Sequence, residues 1–325
     1  MKQATIRFLQ TGEMPVLPGW TKVLPASWRA GYTVKHRPYR LEQGEKGITG
    51  ILQTQREGVC SAPWRKGALA LLAELERAGV SIVIPPAEGE FPRERLPFAE
   101  GRHLAALFAF EGLTEALRRQ GKEPCAANYL ITGDNPVLWE NTLSSIGNEV
   151  NHLYIFTPQP EKAEPLTRWL YEERGLLAEV FSSPKHPALR EADAVLSCGM
   201  EQRPYEYMLK KGCVWLDLAG NRPVLRRLRQ SRPDVAAAEG FFFRLGTQQM
   251  EGRFAEAEAF LRCTAFRQSW ERFPAGEGLF RQLKAEGFAV SGFSAFGKRV
   301  KIAKNQGENP FLPPENIDNA PLDII

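Results

Sequence analysis

The residues best able to do chemistry lie in MLKKGCVWLDLAGNRP, positions 208–223. A single cysteine, Cys213, stands between two lysines, Lys210 and Lys211, and an apolar strand pattern ending in Asp217. Nearby positive charge lowers a thiol pKa, and a thiolate can attack a thioester and hold its acyl group. The bland reading is equally open: free cysteine is among the most buried residue types, and Cys213 would then be a small hydrophobe opening a strand. Cys198, in VLSCG, ends the preceding strand pattern and reads as packing.

The second candidate is LITGDNPVLW (130–139), a strand running into a helix. Dinucleotide-binding turns use glycines there because a pyrophosphate must reach bare backbone at a helix N-terminus. Thr132, Gly133, Asp134 and Asn135 form this turn, and Lys162 after the next strand is the nearest cation for a 2′-phosphate. Of the usual three glycines only Gly133 is present, and Leu130 and Pro136 are aligned with the first and third. The same residues make a good helix start, with Asn135 as cap, Pro136 at the first helical position and Asp134 at the positive end of the dipole. That acid favours the helix and repels a pyrophosphate.

The elements that must position these residues alternate regularly. ANYLITG, HLYIFTP, LLAEVFSS, ADAVLSCG and GCVWLDLAG are short apolar runs separated by helical patterns or loops. Such alternation predicts a parallel sheet covered on both faces, a doubly wound Rossmann-like domain over residues 126–245. Before it, ATIRFL, GITGILQT and VSIVIPP with the amphipathic stretch WRKGALALLAELERAG predict an N-terminal α/β domain over 1–98. Residues 99–125 carry the longest helical pattern and suit a linker helix. Residues 246–325 suggest C-terminal helices, a glycine-rich strand pair and a polar, proline-rich tail. The stretch from about 235, AAAEGFFFRLGTQQMEGRFAEAEAFLRC, reads as a helix returning to the first domain.

Composition bounds the function. The chain has 325 residues, 43% apolar and 25% charged, with formal net charge +4, so charge does not imply nucleic acid. No apolar run is long enough to span a bilayer, and the first residues lack a secretory signal pattern. Five cysteines are scattered without a CxxC pair, and the four histidines are unclustered, which argues against a metal site and a disulfide framework. A cytoplasmic setting is the default. His103, His152 and His186 show no ligand spacing and no nucleophile partner. Arg222, Arg226, Arg227, Arg229 and Arg232 form either a solvated helix face or a docking patch for an acidic partner. Aromatic interleaving for RNA or DNA is absent.

The order of elements resembles the two-domain shikimate dehydrogenase and glutamyl-tRNA reductase class. Within it, GITGILQT (47–54), VCSAP (59–63), the helix at 99–120, the Thr132-Gly133-Asp134 turn and MLKKGCVWLDLAG are similar to the long-chain acyl-(acyl-carrier-protein) reductases. The likeness spans about residues 45–245. It implies an oxidoreductase using NADP or NAD, an acyl-thioester substrate delivered by an acidic carrier protein, and Cys213 as the acyl-bearing nucleophile. The other reading is a non-catalytic Rossmann-like binding or scaffold protein with a degenerate nucleotide site.

Overall fold

The computed structural model describes residues 2–8, 38–44, 47–53, 62–85, 91–92, 95–147, 149–199, 206–246, 248–249, 254–263, 276–296 and 298–302. Cys60, the VCSAP segment but for its last two residues, and the tail beyond 302 lie outside them. The chain divides into two compact units, Met1–Gly101 with Ala255–Glu271, and Arg102–Phe254 with Arg272–Ile325.

The first unit holds β1 (Lys2–Phe8), β2 (Tyr39–Gly44), β3 (Gly47–Leu52), α1 (Ala62–Arg77) and β4 (Val80–Ile84). Its sheet runs β2-β3-β1-β4, with β1 parallel to both neighbours and β2 antiparallel to β3. In α1, Ala68, Leu71, Leu72 and Leu75 recur at helical spacing and are all buried. The three leucines pack with Ala4, Ile6 and Leu52 of the sheet. The helix comes so close that a Cβ on Gly50 would stand 2.9 Å from Leu71 Cδ1.

The second unit begins with α2 (Arg102–Leu107) and α3 (Ala109–Arg119). The helical pattern of 99–120 therefore breaks at Phe108, whose ring is buried 5.1–5.4 Å from Phe243, Phe280 and Phe288. Next come β5 (Asn128–Thr132), α4 (Pro136–Ser144), β6 (His152–Phe156), α5 (Glu164–Arg174), β7 (Ala178–Phe181), α6 (Ala188–Glu191), β8 (Ala194–Ser197), β9 (Val214–Asp217), α7 (Arg222–Ser231) and β10 (Ala236–Ala238). All six strands are parallel, in the order β7-β6-β5-β8-β9-β10. This is the doubly wound Rossmann-like order, with the direction of winding reversing between β5 and β8. The fold class read from the alternation of elements is present: a six-stranded parallel sheet flanked by helices, and a separate N-terminal sheet.

One segment differs. AAAEGFFFRL was expected to be helical, but it forms β10 and then β11 (Gly240–Leu245). Phe241 and Phe243 are fully buried while Phe242 and Arg244 are not, a period of two that belongs to a strand. β11 joins β12 (Gln248–Gln249), β13 (Phe288–Ala295) and β14 (Lys298–Val300) in an antiparallel sheet of order β12-β11-β13-β14. The expected returning helix is α8 (Phe254–Cys263), whose Ala259 packs with Ile82, Ile84 and Ala99. α9 (Gly276–Ala285) precedes the β13–β14 pair, as the glycine-rich pattern implied. Among the described residues no helix is long and apolar enough to cross a membrane.

Candidate functional site

In an open parallel sheet, ligands meet the carboxyl ends of the strands where the winding reverses. Here that place is the end of β5 and β8. Two glycines meet there back to back. Gly133 follows β5 with φ +109°, and a Cβ on it would run into the Gly199 backbone, 2.7 Å from its Cα. A Cβ on Gly199 would meet the Asp134 backbone nitrogen at 2.6 Å and Asp134 Oδ1 at 2.7 Å. The Gly133 N–H donates to the Phe156 carbonyl at 3.1 Å, and the Cys198 N–H to the Thr132 carbonyl at 2.7 Å.

Gly133 thus makes the tight turn, which is the task of the first glycine of the fingerprint, not of the middle one. Counting onward at the spacing G-x-G-x-x-G puts Asn135 and Leu138 in the later places, so the alignment through Leu130 and Pro136 is corrected. Asn135 Oδ1 accepts from the Leu138 N–H at 3.2 Å and Pro136 follows it, as the sequence indicated. Asp134 and Asn135 are exposed, Thr132 is buried, and Lys162 is exposed on a short helical turn after β6. The structure therefore brings Thr132, Gly133, Asp134 and Asn135 to one edge, the edge that also carries the β6 end leading to Lys162.

Cys213 is elsewhere. It precedes β9, and Val214 pairs with Ala194 at the start of β8, so the thiol lies at the amino edge of the sheet. A strand advances about 3.3 Å per residue, which puts Cys213 about 13 Å along β9 from the carboxyl edge. The acyl-bearing role that the resemblance implies for Cys213 needs the thiol at the carboxyl edge, and the strand register puts it at the opposite one. Its side chain is a core member beside Trp215, Leu225 and Leu228, and its Sγ donates to the Val214 carbonyl at 3.5 Å. Burial pushes the thiol up to about 12, outweighing Lys122, Arg232 and Lys210. Lys210 was expected to activate the thiol, but its Nζ is 2.8 Å from Asp193, which also takes Lys122 at 3.3 Å. At Asp193 burial raises the carboxyl pKa, and the hydrogen bonds from Lys210 and the Asn128 N–H, with the charge of Lys122, bring it below the usual range. We expect iodoacetamide at pH 8 to leave Cys213 unmodified in the folded protein and to label it in urea. Peptide mass analysis reads this directly, and labelling in the native state would restore the nucleophile.

The arginines of α7 and of its C-cap, Arg232, are largely engaged. Arg227 bonds Glu206 at 2.6 Å and Arg232 bonds Asp234 at 2.7 Å. Arg229 lies over the Phe296 ring at 5.2 Å, and Arg222 Nε is 3.8 Å from Glu239. Among the described residues Arg226 has no such partner. His186 is pinned by the Ala188 N–H at 3.3 Å, pairs with Glu179 at 3.0 Å and stacks on Phe181. Its role is packing.

A polar group at the carboxyl edge escaped sequence reasoning. Asp217 ends β9 and is almost completely buried. Its Oδ1 accepts from the Gly220 N–H at 3.0 Å, while its Oδ2 is buried without a hydrogen-bond partner. Burial raises the carboxyl from its ordinary 3.8 to about 6, against the Asn221 and Gly220 N–H groups and Arg102. The Arg102 guanidinium lies over Gly220, with Nη2 2.7 Å from where a Cβ would stand. Glu239, buried after β10, adds negative charge. The only signal in the sequence was a strand ending in Asp and followed by a glycine. Among the described residues no three His, Cys, Asp or Glu stand close enough to hold a metal ion.

Neither a family model nor a curated protein matches the sequence. Solved structures do. A Δ1-pyrroline-2-carboxylate reductase from Thermococcus litoralis, in complex with NADH and L-proline, is 13% identical with a TM-score of 0.29. That match spans 40% of this chain and 41% of the reductase, so the chain matches about two fifths of its length. The hetero-hexameric glutamate dehydrogenase of Thermus thermophilus is 16% identical over 88% of this chain and 76% of its own, with a TM-score of 0.36. A shikimate dehydrogenase in complex with NADP+ is 11% identical over 86% and 95%, with a TM-score of 0.38.

Proposed function

We propose that the chain keeps an oxidoreductase-type Rossmann-like domain as a binding platform, with its dinucleotide turn closed by its own side chains. It binds a small molecule at the carboxyl edge and does not transfer hydride from NADP or NAD. The observation that carries this reading is the state of the Gly133–Leu138 turn. Asn135 Oδ1 takes the Leu138 N–H that a phosphate oxygen would take, and Pro136 has no N–H to offer. Gly133 spends its N–H on Phe156 and turns its bare side to Gly199. Asp134 adds a carboxylate at the same helix end, where a pyrophosphate would have to lie. These residues do not fit a pyrophosphate.

Reduction of an acyl thioester would additionally need Cys213 as a thiolate, and its burial at the amino edge weighs against that. The test is thermal unfolding with and without NADPH at millimolar concentration. The midpoint should not move. A ligand at about 100 times its dissociation constant would stabilise the fold by roughly 2.7 kcal/mol, and a shift of that size would return the chain to the oxidoreductases.

A further inference from the structure

The parallel sheet ends on β7, and among the described residues no strand pairs with its outer side. The Thr157 N–H donates to the Phe181 carbonyl at 3.0 Å, so Phe181 turns its backbone groups inward, toward β6. Backbone groups alternate in direction along a strand, which sends those of Ala178, Val180 and Ser182 outward. β7 has neither the proline nor the bulge that commonly blunts an exposed edge. Apolar side chains stand beside it. Leu177, the residue before β7, is 76% exposed, more than any other large hydrophobic among the described residues. Tyr171, on the last turn of α5, is 63% exposed, and α5 packs against β7.

Charge is divided between the two ends of this edge. Glu172 and Glu173 close α5 just before β7 and so stand at the amino edge of the sheet. Lys185 follows β7 at the carboxyl edge, and Arg168 lies one turn back along α5 toward that edge. All four are exposed, and none has an ion-pair partner among the described residues. An antiparallel neighbour with the same edge would set its basic end against this acidic end, and its acidic end against this basic one. A parallel neighbour of the same kind would oppose like charges at both ends. The surface is therefore complementary to itself across a twofold axis.

We propose that β7 pairs antiparallel with β7 of a second copy of this chain, joining the two parallel sheets into one across a twofold axis at Val180. Only outward-directed residues can exchange backbone bonds, and the two registers with the longest overlap centre on Glu179 or Val180. Centring on Glu179 would set that carboxylate directly against the partner's Glu179, an opposition of like charges that destabilises a strand pair. Centring on Val180 puts Glu179, which pairs with its own His186 at 3.0 Å, opposite the partner's Phe181. Val180 then exchanges bonds with the partner's Val180, and Ala178 with the partner's Ser182. Leu177 is covered at each end of the new ribbon.

Sedimentation of the full chain at a concentration on the order of 100 μM should give a particle of twice the 36.5 kDa of one chain. Val180→Pro removes the N–H at the axis, which makes no bond to β6, and proline is tolerated on an edge strand. That variant should stay folded and sediment as a monomer. Lys185→Glu should weaken the dimer about tenfold, and so should the pair Glu172→Lys with Glu173→Lys. All three changes made together should restore the natural affinity, which a loss of folding could not do. A monomeric natural chain, a dimer unaffected by Val180→Pro, or a combined charge reversal no tighter than either of its parents would each overturn the proposal.

Discussion

Asp217→Asn should stabilise the protein at pH 8 by up to about 3 kcal/mol, with no gain at pH 4. The carboxyl is raised from 3.8 to about 6 by burial, so the folded state binds its proton more tightly than the unfolded chain does. Stability contributed by that proton is complete below pH 4 and is lost as pH rises through 6. Each unit of difference is worth about 1.36 kcal/mol, which sets the ceiling. Asparagine cannot ionise and keeps an oxygen for the Gly220 N–H, so it removes the loss. Urea unfolding of both proteins at the two pH values measures the difference. An equal difference at both would show that Asp217 titrates as an ordinary carboxylate.

Gly133→Ala should cost about 3 kcal/mol or more, enough to threaten folding at moderate temperature. The new Cβ would stand 2.7 Å from Gly199 Cα and 2.8 Å from the Cys198 carbonyl carbon, and both are backbone atoms of the adjacent strand end. Neither can move without breaking the Cys198 N–H bond to Thr132. The φ of +109° adds strain for any residue with a side chain. Gly175→Ala is the control, because Gly175 has φ +65° with open space around it and should cost about 1 kcal/mol. Comparable losses at the two sites would mean that backbone conformation alone requires Gly133, and that the contact with Gly199 is unimportant.

The alternation of short apolar runs with helices made the parallel sheet legible, because a strand buried on both faces has few other ways to be written. The role that the resemblance implies for Cys213 fails on strand direction. The cysteine precedes its strand, and in a parallel sheet every residue before a strand lies on the amino edge. The strand pattern VWLD, which Cys213 precedes, already carries that direction. In AAAEGFFFRL the alanines suggested a helix by propensity, while the alternating burial of Phe241 and Phe243 became evident only with the partner strand β13 in place. The Arg102, Asp217 and Glu239 group was beyond sequence reasoning. Its members come from α2, β9 and the end of β10, and only the order of strands in the sheet makes them neighbours. Gly199 was equally hidden, although β5 and β8 both end in a small polar residue followed within two positions by glycine.

The closed turn is tested most directly by titrating NADPH into the natural protein and into an Asp134→Ala, Asn135→Gly variant, with heat as the readout. The natural chain should give no saturable heat, and the variant, with the acid and the cap removed, should gain measurable affinity. Saturable binding by the natural chain, equal to or tighter than that of the variant, would contradict the account.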